Sequence, residues 1–289
     1  MATENKPLVS ICIPTYNRYE HLKMTIDSIV EQREFLDGRV EIVINDNASD
    51  DKTSDIGKEY STKYENVLYY RNTENVKDKN FPICLSRANG VLRKLNNDTF
   101  RISKDGLKIL CAIADKYKDE KPQVFLTNNR KKIKSDKEES FHDFLIEEGF
   151  WVTWISSFTI WDTDCMYIAD DTDGCELQLW QVKKFYELAS IKNKVIVCDA
   201  NIGTSVTPTK KNLSYGLYQV FYTNYLSLVK PYLNQGIICD DDFDTIERNL
   251  LYDFFIQWVI NWEMNRGNMV YSDQDKVVCI SDIESNDID

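Results

Sequence analysis

Short apolar runs alternate along the first half of the chain with segments whose apolar residues recur at helical spacing. Leu8 to Ile13 and Val40 to Ile44 are largely apolar, as is typical of parallel strands buried on both faces. The apolar positions between the two runs fall on one face of a helix: Leu22, Ile26, Ile29 and Val30. Strand, helix and strand at this separation predict a βαβ unit.

The alternation continues beyond this unit. Three further strands are predicted, at Val67 to Tyr70, Val91 to Leu95 and Gln123 to Leu126. Helices are predicted to start near the Ser49 to Asp51 cluster, to cover Phe81 to Ala88, and to run from a Ser103 cap through Ala114. Alternating strands and helices predict an α/β fold with a doubly wound, mostly parallel sheet flanked by helices. Ligands should then bind at the carboxyl ends of the strands.

The pattern changes in the second half. Arg130 to Ser140 is dense in charge and predicts a solvated excursion, whereas the aromatic and β-branched run Phe150 to Trp161 predicts a strand. The segments predicted after it are an acidic loop Asp162 to Asp173, a helix Glu176 to Ala189, a strand Val195 to Cys198, and helices Tyr215 to Leu233 and Thr245 to Glu263. We divide the chain into an α/β domain (1–205), a C-terminal helical extension (206–280) and an acidic tail (281–289).

Composition narrows the function classes. The 289 residues include 35 Lys and Arg against 47 Asp and Glu, a net charge of −12, and 43% are hydrophobic. A sizeable core can form, which excludes a disordered chain, and the acidic balance argues against a nucleic-acid binder.

Eight scattered Cys without a CxxC pair indicate buried thiols in a reducing cytoplasm. The sequence shows neither a signal-peptide-like start nor a run long enough to cross a bilayer. Docking at the inner face of the cell membrane and a homo-oligomer stay open.

Polar residues follow the strands of the predicted βαβ unit. The first strand continues into Pro14 to Arg18 and the second into Asn45 to Asp51. A carboxylate at this edge could accept the imide N–H of a uracil or thymine ring, and Tyr16 could stack on the same base. The alternative is that Asp46, Ser49 and Asp50 are turn and cap residues.

A third polar segment, Leu95 to Thr99, follows the Val91 strand. A carboxylate there could hold a divalent cation against a diphosphate, because a hard cation neutralises charge that builds on a leaving phosphate. A turn residue is the alternative for Asp98.

In their order and spacing these segments resemble the family 2 glycosyltransferases, which have the GT-A fold. The matching stretches are Val9 to Arg18, Ile26 to Gln32, Glu41 to Asp51 and Ala88 to Gly90, the last leading into the family's Asp-x-Asp segment. The resemblance covers about the first third of the chain. The remainder loosely resembles the branch of the family that builds capsules, lipopolysaccharide side chains and other surface glycans.

The resemblance implies an inverting transfer of a sugar from a nucleoside-diphosphate donor, with a UDP-sugar favoured. The acceptor would be a surface glycan, a lipid-linked sugar or a glycoprotein. Asp46 would hold the nucleobase, and Thr15 and Tyr16 would line its pocket. Asp98 would fall in the Asp-x-Asp segment, near the ribose or a metal ion.

The chain departs from the family pattern in that segment. The family has two or three carboxylates, whereas Asn96, Asn97, Asp98 and Thr99 supply one. One carboxylate with neutral oxygens would bind Mg²⁺ or Mn²⁺ weakly, so we predict weak or absent metal dependence. Arg93, Lys94 or Arg101 would take part of the phosphate charge instead.

An inverting transfer also needs a general base for the acceptor hydroxyl. In the family it is a carboxylate at the start of a helix in the second half of the chain. Asp173 and Glu176 are the candidates by that resemblance, with Asp170 and Asp171 as alternatives.

Two other functions compete with this hypothesis. A non-catalytic relative that serves as a nucleotide-binding or structural partner subunit would explain the depleted Asp-x-Asp segment. A sugar nucleotidyltransferase would need a glycine-rich, basic phosphate loop after the first strand, and Pro14 to Arg18 contains no glycine.

Overall fold

The computed structural model of the chain describes residues 6–132, 135–206 and 216–256. Its strands are β1 (Val9–Thr15), β2 (Val40–Asp46), β3 (Val67–Arg71), β4 (Leu92–Leu95), β5 (Phe100–Ile102), β6 (Gln123–Leu126), β7 (Lys137–Glu139), β8 (Thr159–Trp161), β9 (Val195–Cys198) and β10 (Gly203–Ser205). Its helices are α1 (Tyr19–Val30), α2 (Arg33–Leu36), α3 (Thr53–Lys63), α4 (Asn80–Ser86), α5 (Gly106–Tyr117), α6 (Phe141–Glu147), α7 (Trp180–Lys192), α8 (Tyr225–Asn234) and α9 (Asp240–Asn249).

The central sheet has the strand order β3-β2-β1-β4-β8. β1 pairs in parallel with β2 on one side and with β4 on the other, and β3 extends the parallel part beyond β2. β8 lies at the opposite edge, antiparallel to β4. The apolar runs of β1 and β2 are buried along nearly their whole length, as expected for strands covered on both faces. The predicted α/β fold with a mostly parallel sheet is confirmed.

Two apolar clusters cover the two faces of this sheet. Ile11 and Ile13 belong to one cluster, together with Leu22 of α1. Cys12 belongs to the other, together with Phe185 of α7. Successive side chains of a strand point to opposite faces, so β1 contributes to both clusters. The helices thus form a layer on each side of the sheet.

Two smaller sheets extend the fold. β6 pairs in parallel with β9, and β7 adds to β9 in antiparallel orientation. β10 pairs with β5, the short strand that follows the Asp98 segment. The predicted strands Gln123 to Leu126 and Val195 to Cys198 are therefore confirmed, and they form a sheet of their own rather than extending the central one.

The prediction of a strand over Phe150 to Trp161 is wrong for most of its length. Two short 3-10 helices occupy Gly149–Thr153 and Ile155–Ser157, and only β8 is extended. The aromatic rings of this run pack against separate elements: the Trp154 ring, for example, meets the Phe100 ring of β5 edge-on at 5.3 Å between centroids. A period-2 strand would direct its side chains to only two faces, which does not match this packing.

Three element boundaries also differ from the prediction. β7 lies within the Arg130 to Ser140 segment predicted to be solvated. α7 begins at Trp180 rather than at Glu176, because positive φ angles at Gly174 and Gln178 interrupt the helix before it. α5 begins at Gly106, and the Ser103 hydroxyl donates to the Asn201 carbonyl instead of capping that helix.

The C-terminal helices are described only in part. A π-helical segment, Gln219–Asn224, leads into α8, and a second one, Leu250–Ile256, follows α9. α9 starts at Asp240, earlier than predicted, and Asp242 accepts a hydrogen bond from the Cys239 backbone at 2.9 Å. The end of the predicted helix to Glu263 and the tail 281–289 lie outside the described residues. The division at residue 205 stays a prediction.

Candidate functional site

The order of the central sheet reverses between β1 and β4. β2 and β3 lie on one side of β1, whereas the chain crosses to the other side to form β4. In open α/β sheets, ligands bind in the crevice outside the carboxyl ends of the strands at such a reversal. Asn47 N donates to the Thr15 carbonyl at 2.9 Å, and Asn96 N donates to the Cys12 carbonyl at 2.8 Å. The polar segments after β1, β2 and β4 thus meet at one edge, as the sequence predicts.

Asp98 connects the segment after β4 to the segment after β1. Its carboxylate accepts a hydrogen bond from the Thr15 hydroxyl at 2.9 Å and one from Arg18 Nη1 at 3.1 Å. Its carbonyl accepts a hydrogen bond from the Thr25 hydroxyl at 2.7 Å. Asp98 is 2% exposed. Burial raises the pKa of Asp98 above its ordinary value, although Arg18 and Thr15 oppose that rise. Two of the predicted site residues, Thr15 and Asp98, are therefore in direct contact.

The neighbours of Asp98 direct their polar groups inward. Asn96 is fully buried, and its amide donates to the Asn97 and Phe100 carbonyls at 3.0 and 2.9 Å. The Asn97 side-chain oxygen accepts hydrogen bonds from the Thr99 backbone and hydroxyl, at 3.2 and 3.0 Å. Most of the polar capacity of this segment is used in holding its own loop.

Lys94 holds this loop through hydrogen bonds inside the protein. Its ammonium is fully buried and donates to the Leu95 carbonyl at 3.0 Å and to Asn96 Oδ1 at 2.9 Å. The Phe100 ring lies 5.0 Å away from the nitrogen. Burial lowers the pKa of Lys94 to about 7. The side-chain oxygen of Asn96 is thus engaged by Lys94 inside the protein.

Asp46 lies at the end of β2, on the other side of Thr15. Its carboxylate is fully buried and accepts hydrogen bonds from Ser49 N at 2.8 Å, the Tyr69 hydroxyl at 2.9 Å and Arg71 Nη1 at 3.0 Å. Arg71 also donates to the Ser49 carbonyl at 2.8 Å, which fixes the turn after β2. Asp46 therefore accepts the hydrogen bond from Ser49 that is expected of a turn residue, and it also forms an ion pair with Arg71.

The turns after β1 and β2 are hydrogen-bonded to each other. Asn17, which has a positive φ of 53°, donates its backbone N–H to the Ser49 hydroxyl at 2.9 Å. The Asn17 side-chain oxygen accepts a hydrogen bond from Asp50 N at 2.7 Å. Asp51 accepts a hydrogen bond from Thr53 N at 2.9 Å, so this member of the predicted Ser49 to Asp51 cluster does cap α3. Tyr16, which follows β1 directly, is half-buried, and its place in the base pocket stays a prediction.

An asparagine cluster that sequence reasoning missed extends the edge toward β3. Asn72 donates to the side-chain oxygens of Asn47 at 3.1 Å and Asn80 at 2.9 Å, while Asn47 donates to Asn75 at 2.8 Å. Its remaining members are the fully buried Asn45 and the half-buried Arg87, which donates to the Asn45 side chain. The sequence shows asparagines near the ends of β2 and β3, but their contacts with one another depend on the pairing of β2 with β3.

The three basic residues predicted to bind phosphate do not converge at the crevice. Arg93 donates to the Leu85 carbonyl at 2.7 Å, Lys94 is buried below the loop, and the Arg101 guanidinium lies beside the Met24 sulfur. Arg18 is instead the guanidinium that reaches the Asp98 carboxylate. Its place in the β1 turn was visible in the sequence, but its pairing with a residue 80 positions away was not.

The candidate bases lie in the segment between β8 and α7. Because β8 is antiparallel to β4, the chain leaves β8 at the edge of the sheet opposite the crevice. Asp173 is exposed and pairs with Lys183, which lowers the pKa of Asp173, whereas Asp171 pairs with Lys184. Within the described residues, Glu176 makes neither a hydrogen bond nor an ion pair, and no such contact joins the Asp170 to Glu176 segment to Thr15, Asp46 or Asp98.

This segment nevertheless returns toward the strand ends. Its 3-10 helix, Ile168–Asp170, packs against α4. Burial raises the pKa of the Cys175 thiol to about 12, with a further contribution from the negative charge of Asp78 in the loop after β3. Cys175 therefore lies near that loop, and Glu176 follows it directly.

The side chains at the crevice do not fit a divalent cation. Asp98 is the single carboxylate of its segment, and it is buried in an ion pair with Arg18. The two asparagines beside it are engaged by Lys94 and Thr99. In the part of the chain that the structure describes, no group of three or more His, Cys, Asp or Glu could hold a metal ion. A magnesium ion at a diphosphate usually takes one or two protein carboxylates, and the one carboxylate of this segment is already paired with Arg18.

Residues 10–92, which run from the second residue of β1 to the first residue of β4, match the family described as Glycosyl transferase family 2. The abequosyltransferase RfbV of Salmonella typhimurium is 36% identical over 126 residues, covering 43% of this chain and 36% of that protein. The glycosyltransferase AglE of Haloferax volcanii is 32% identical over 65 residues, covering 22% of this chain and 21% of that protein. The matched stretches thus span about a third or less of these relatives.

Solved structures share the architecture. S. aureus TarS 1–349 superposes with a TM-score of 0.61 at 19% identity, over 90% of this chain and 75% of that chain. The mannosyltransferase PcManGT from Pyrobaculum calidifontis, solved with GDP-Man and Mn²⁺, gives a TM-score of 0.58 at 13% identity, over 97% and 81%. Within the described residues, none of the helices has the length and apolar character needed to cross a membrane. Residues 10–92 are thus similar to the family 2 glycosyltransferases, and the described residues share the GT-A fold of these structures.

Proposed function

We propose that the chain transfers a sugar from a nucleoside-diphosphate donor, with UDP-sugars favoured, to an acceptor in surface-glycan assembly. The observation that carries the proposal is the edge at the sheet reversal, where Thr15, Asp98 and Arg18 meet beside Asp46 and Arg71. A buried acceptor for a base, Asp46, and a guanidinium group for phosphates, Arg18, lie at the same edge. Guanidinium groups bind phosphate through planar, paired hydrogen bonds.

The base would lie at the β1–β2 side of this edge. Asp46 would accept the imide N–H, with Thr15 and Tyr16 lining the pocket. A carboxylate offers about four lone-pair sites, and internal donors take three of them at Asp46. Arg71 would hold Asp46 in the orientation needed for that contact.

The transfer would invert the anomeric centre, with a carboxylate of the Asp170 to Glu176 segment deprotonating the acceptor hydroxyl. Of the two preferred candidates, Asp173 is held by Lys183, whereas Glu176 makes no hydrogen bond within the described residues. A base must be free to reach the substrate proton, which favours Glu176. Asp170 and Asp171 remain the alternatives.

The acceptor would be a surface glycan, a lipid-linked sugar or a glycoprotein. Support comes from the abequosyltransferase among the relatives and from the TarS structures, which include complexes with UDP and UDP-GlcNAc. We place the chain in the cytoplasm, with docking at the inner face of the membrane and a homo-oligomer as open alternatives.

The second candidate function is a non-catalytic relative that binds a nucleotide or a partner subunit. The inward-directed Asn96, Asn97 and Thr99 favour it, because they leave one carboxylate in the segment. Incubation with a panel of UDP-, GDP- and dTDP-sugars separates the two functions. Release of the nucleoside diphosphate from one donor supports the transferase. Binding without release from any donor, with or without acceptor extracts, would support the non-catalytic relative.

A further inference from the structure

The protein places a positively charged side chain, Arg18, at the crevice between the carboxyl ends of β1 and β4. Arg18 lies in the turn after β1, and its side chain is 33% exposed, whereas that of Asp98 is 3% exposed. Among the described residues, one of its nitrogens, Nη1, donates to the protein, at 3.1 Å from Asp98 Oδ1. A guanidinium has five N–H donors in a planar fork, so most of its donors can face a ligand.

We propose that Arg18 is the fixed cation that binds the donor's diphosphate, and that no divalent cation is needed at this position. The inference rests on the proposed function. It follows from two independent observations: the oxygen ligands that a metal would use are engaged within the protein, and a partly exposed guanidinium lies on the one carboxylate that remains.

Asp98 then acts as a positioning residue. It is held by the Thr15 hydroxyl at 2.9 Å, and Thr25 holds its carbonyl at 2.7 Å, so its carboxylate is fixed by both neighbouring segments. A fixed carboxylate orients the Arg18 guanidinium before a ligand arrives. Orientation in advance lowers the entropic cost of binding a flexible diphosphate.

The other arginines of the described edge residues bind groups at the end of β2 rather than Asp98. Arg71 is bonded to Asp46 and to the Ser49 carbonyl, and Arg87 to the Asn45 side chain. Lys94 is fully buried. His21 interacts electrostatically with Asp98 and adds positive charge only when protonated. In a chain of net charge −12, a diphosphate needs a local cation, and at the β1–β4 crevice Arg18 supplies it.

Arg18 would act on the leaving group. The acceptor oxygen forms a bond to the anomeric carbon, and the bond from that carbon to the β-phosphate oxygen breaks. The electron pair of that bond passes to the nucleoside diphosphate, and the hydroxyl proton passes to the carboxylate base. Arg18 stabilises the negative charge that develops on the departing phosphate, as metal ions do in other enzymes.

Calorimetry with nucleoside diphosphates and the matching nucleosides, in EDTA and in excess Mn²⁺, tests the inference. UDP, GDP and dTDP are first titrated into the parent protein, and the tightest is kept. We expect equal affinity in EDTA and in Mn²⁺. Arg18→Gln should weaken binding of the diphosphate about tenfold to a hundredfold, which is the range for a lost charge-assisted hydrogen bond, and should leave the nucleoside unaffected. Arg18→Lys should recover part of the loss.

Arg33→Gln is the matched control, because Arg33 is a solvent-exposed arginine of α2 paired with Asp37. It should bind the diphosphate as the parent does. If Arg18→Gln fails to fold because Asp98 is left without its partner, Arg18→Gln with Asp98→Asn removes both charges and should show the same loss. Diphosphate binding by either folded variant at the parental affinity, or a parent protein that binds only with Mn²⁺, overturns the inference. A parent protein that binds none of the diphosphates overturns the proposed function itself.

Discussion

Lys94 offers a test of how the loop after β4 is built. Its nitrogen is fully buried, and burial lowers the pKa of Lys94 from 10.5 to about 7. A neutral amine has two N–H donors, and its two acceptors are the Leu95 carbonyl and Asn96 Oδ1. The Cys12 thiol interacts electrostatically with Lys94, and burial raises the pKa of Cys12, so Cys12 stays neutral in the same range. Above neutral pH the folded protein therefore releases a proton that the unfolded chain retains.

The sign and size of the effect follow by linkage. Stability rises with pH wherever the unfolded state binds more protons, and each full proton is worth about 1.4 kcal/mol per pH unit. At Lys94 this range runs from about pH 7 to the unfolded pKa of 10.5. Between about pH 7 and about pH 9, with the lysine half-protonated at the lower end, the rise is about 2 kcal/mol. Lys94→Met keeps most of the stem and removes the proton, so the variant should lack this rise.

Urea denaturation followed by tryptophan fluorescence at pH 7, 8 and 9 measures the effect. The free energy of unfolding of the parent minus that of Lys94→Met should grow by about 2 kcal/mol across the series. Lys108→Met, a change at an exposed position of α5, is the control and should give a difference independent of pH. A constant difference for Lys94→Met would mean that Lys94 keeps its proton in the folded protein, and the reasoning from burial would be refuted.

Three further predictions concern the transfer reaction. EDTA should leave turnover unchanged because the crevice lacks free oxygen ligands; loss of turnover with recovery in micromolar Mn²⁺ would contradict this. Asp46→Asn should weaken donor binding by about 1.5–3 kcal/mol through loss of a charge-assisted hydrogen bond, and unchanged UDP affinity by calorimetry would exclude Asp46 as the base-binding group. Glu176→Gln should lower kcat about a hundredfold or more with donor affinity intact, whereas Asp173→Asn should not; parental rates in both variants would place the base elsewhere.

The sequence predicts the strand ends well, because they depend on the local pattern of apolar residues and on the parallel order of the strands. Apolar runs identify β1, β2 and β3, and parallel strands bring their carboxyl ends to one edge. The contact between Thr15 and Asp98 follows once β4 pairs with β1. This part of the site could be anticipated from spacing alone.

The partners of these residues could not be predicted in the same way. Arg18 and Arg71 find their carboxylates across strand pairs, so the choice among several nearby basic residues depends on tertiary geometry. Arg93 and Lys94 are adjacent to the same segment in sequence, yet their side chains leave β4 toward opposite faces of the sheet. Arg93 donates to the Leu85 carbonyl and Lys94 to the Leu95 carbonyl. The strand prediction for Phe150 to Trp161 is wrong for a related reason. The composition of this run favours a strand, but its rings pack in several directions.

A crystal structure of the protein with the nucleoside diphosphate that binds it, grown in EDTA, tests the central claim most directly. We expect the base to lie at the carboxyl ends of β1 and β2 beside Asp46. The diphosphate should lie in the β1–β4 crevice, within hydrogen-bonding distance of Arg18. A diphosphate bound away from Arg18, or a nucleotide that occupies this crevice only when Mn²⁺ is added, would contradict it.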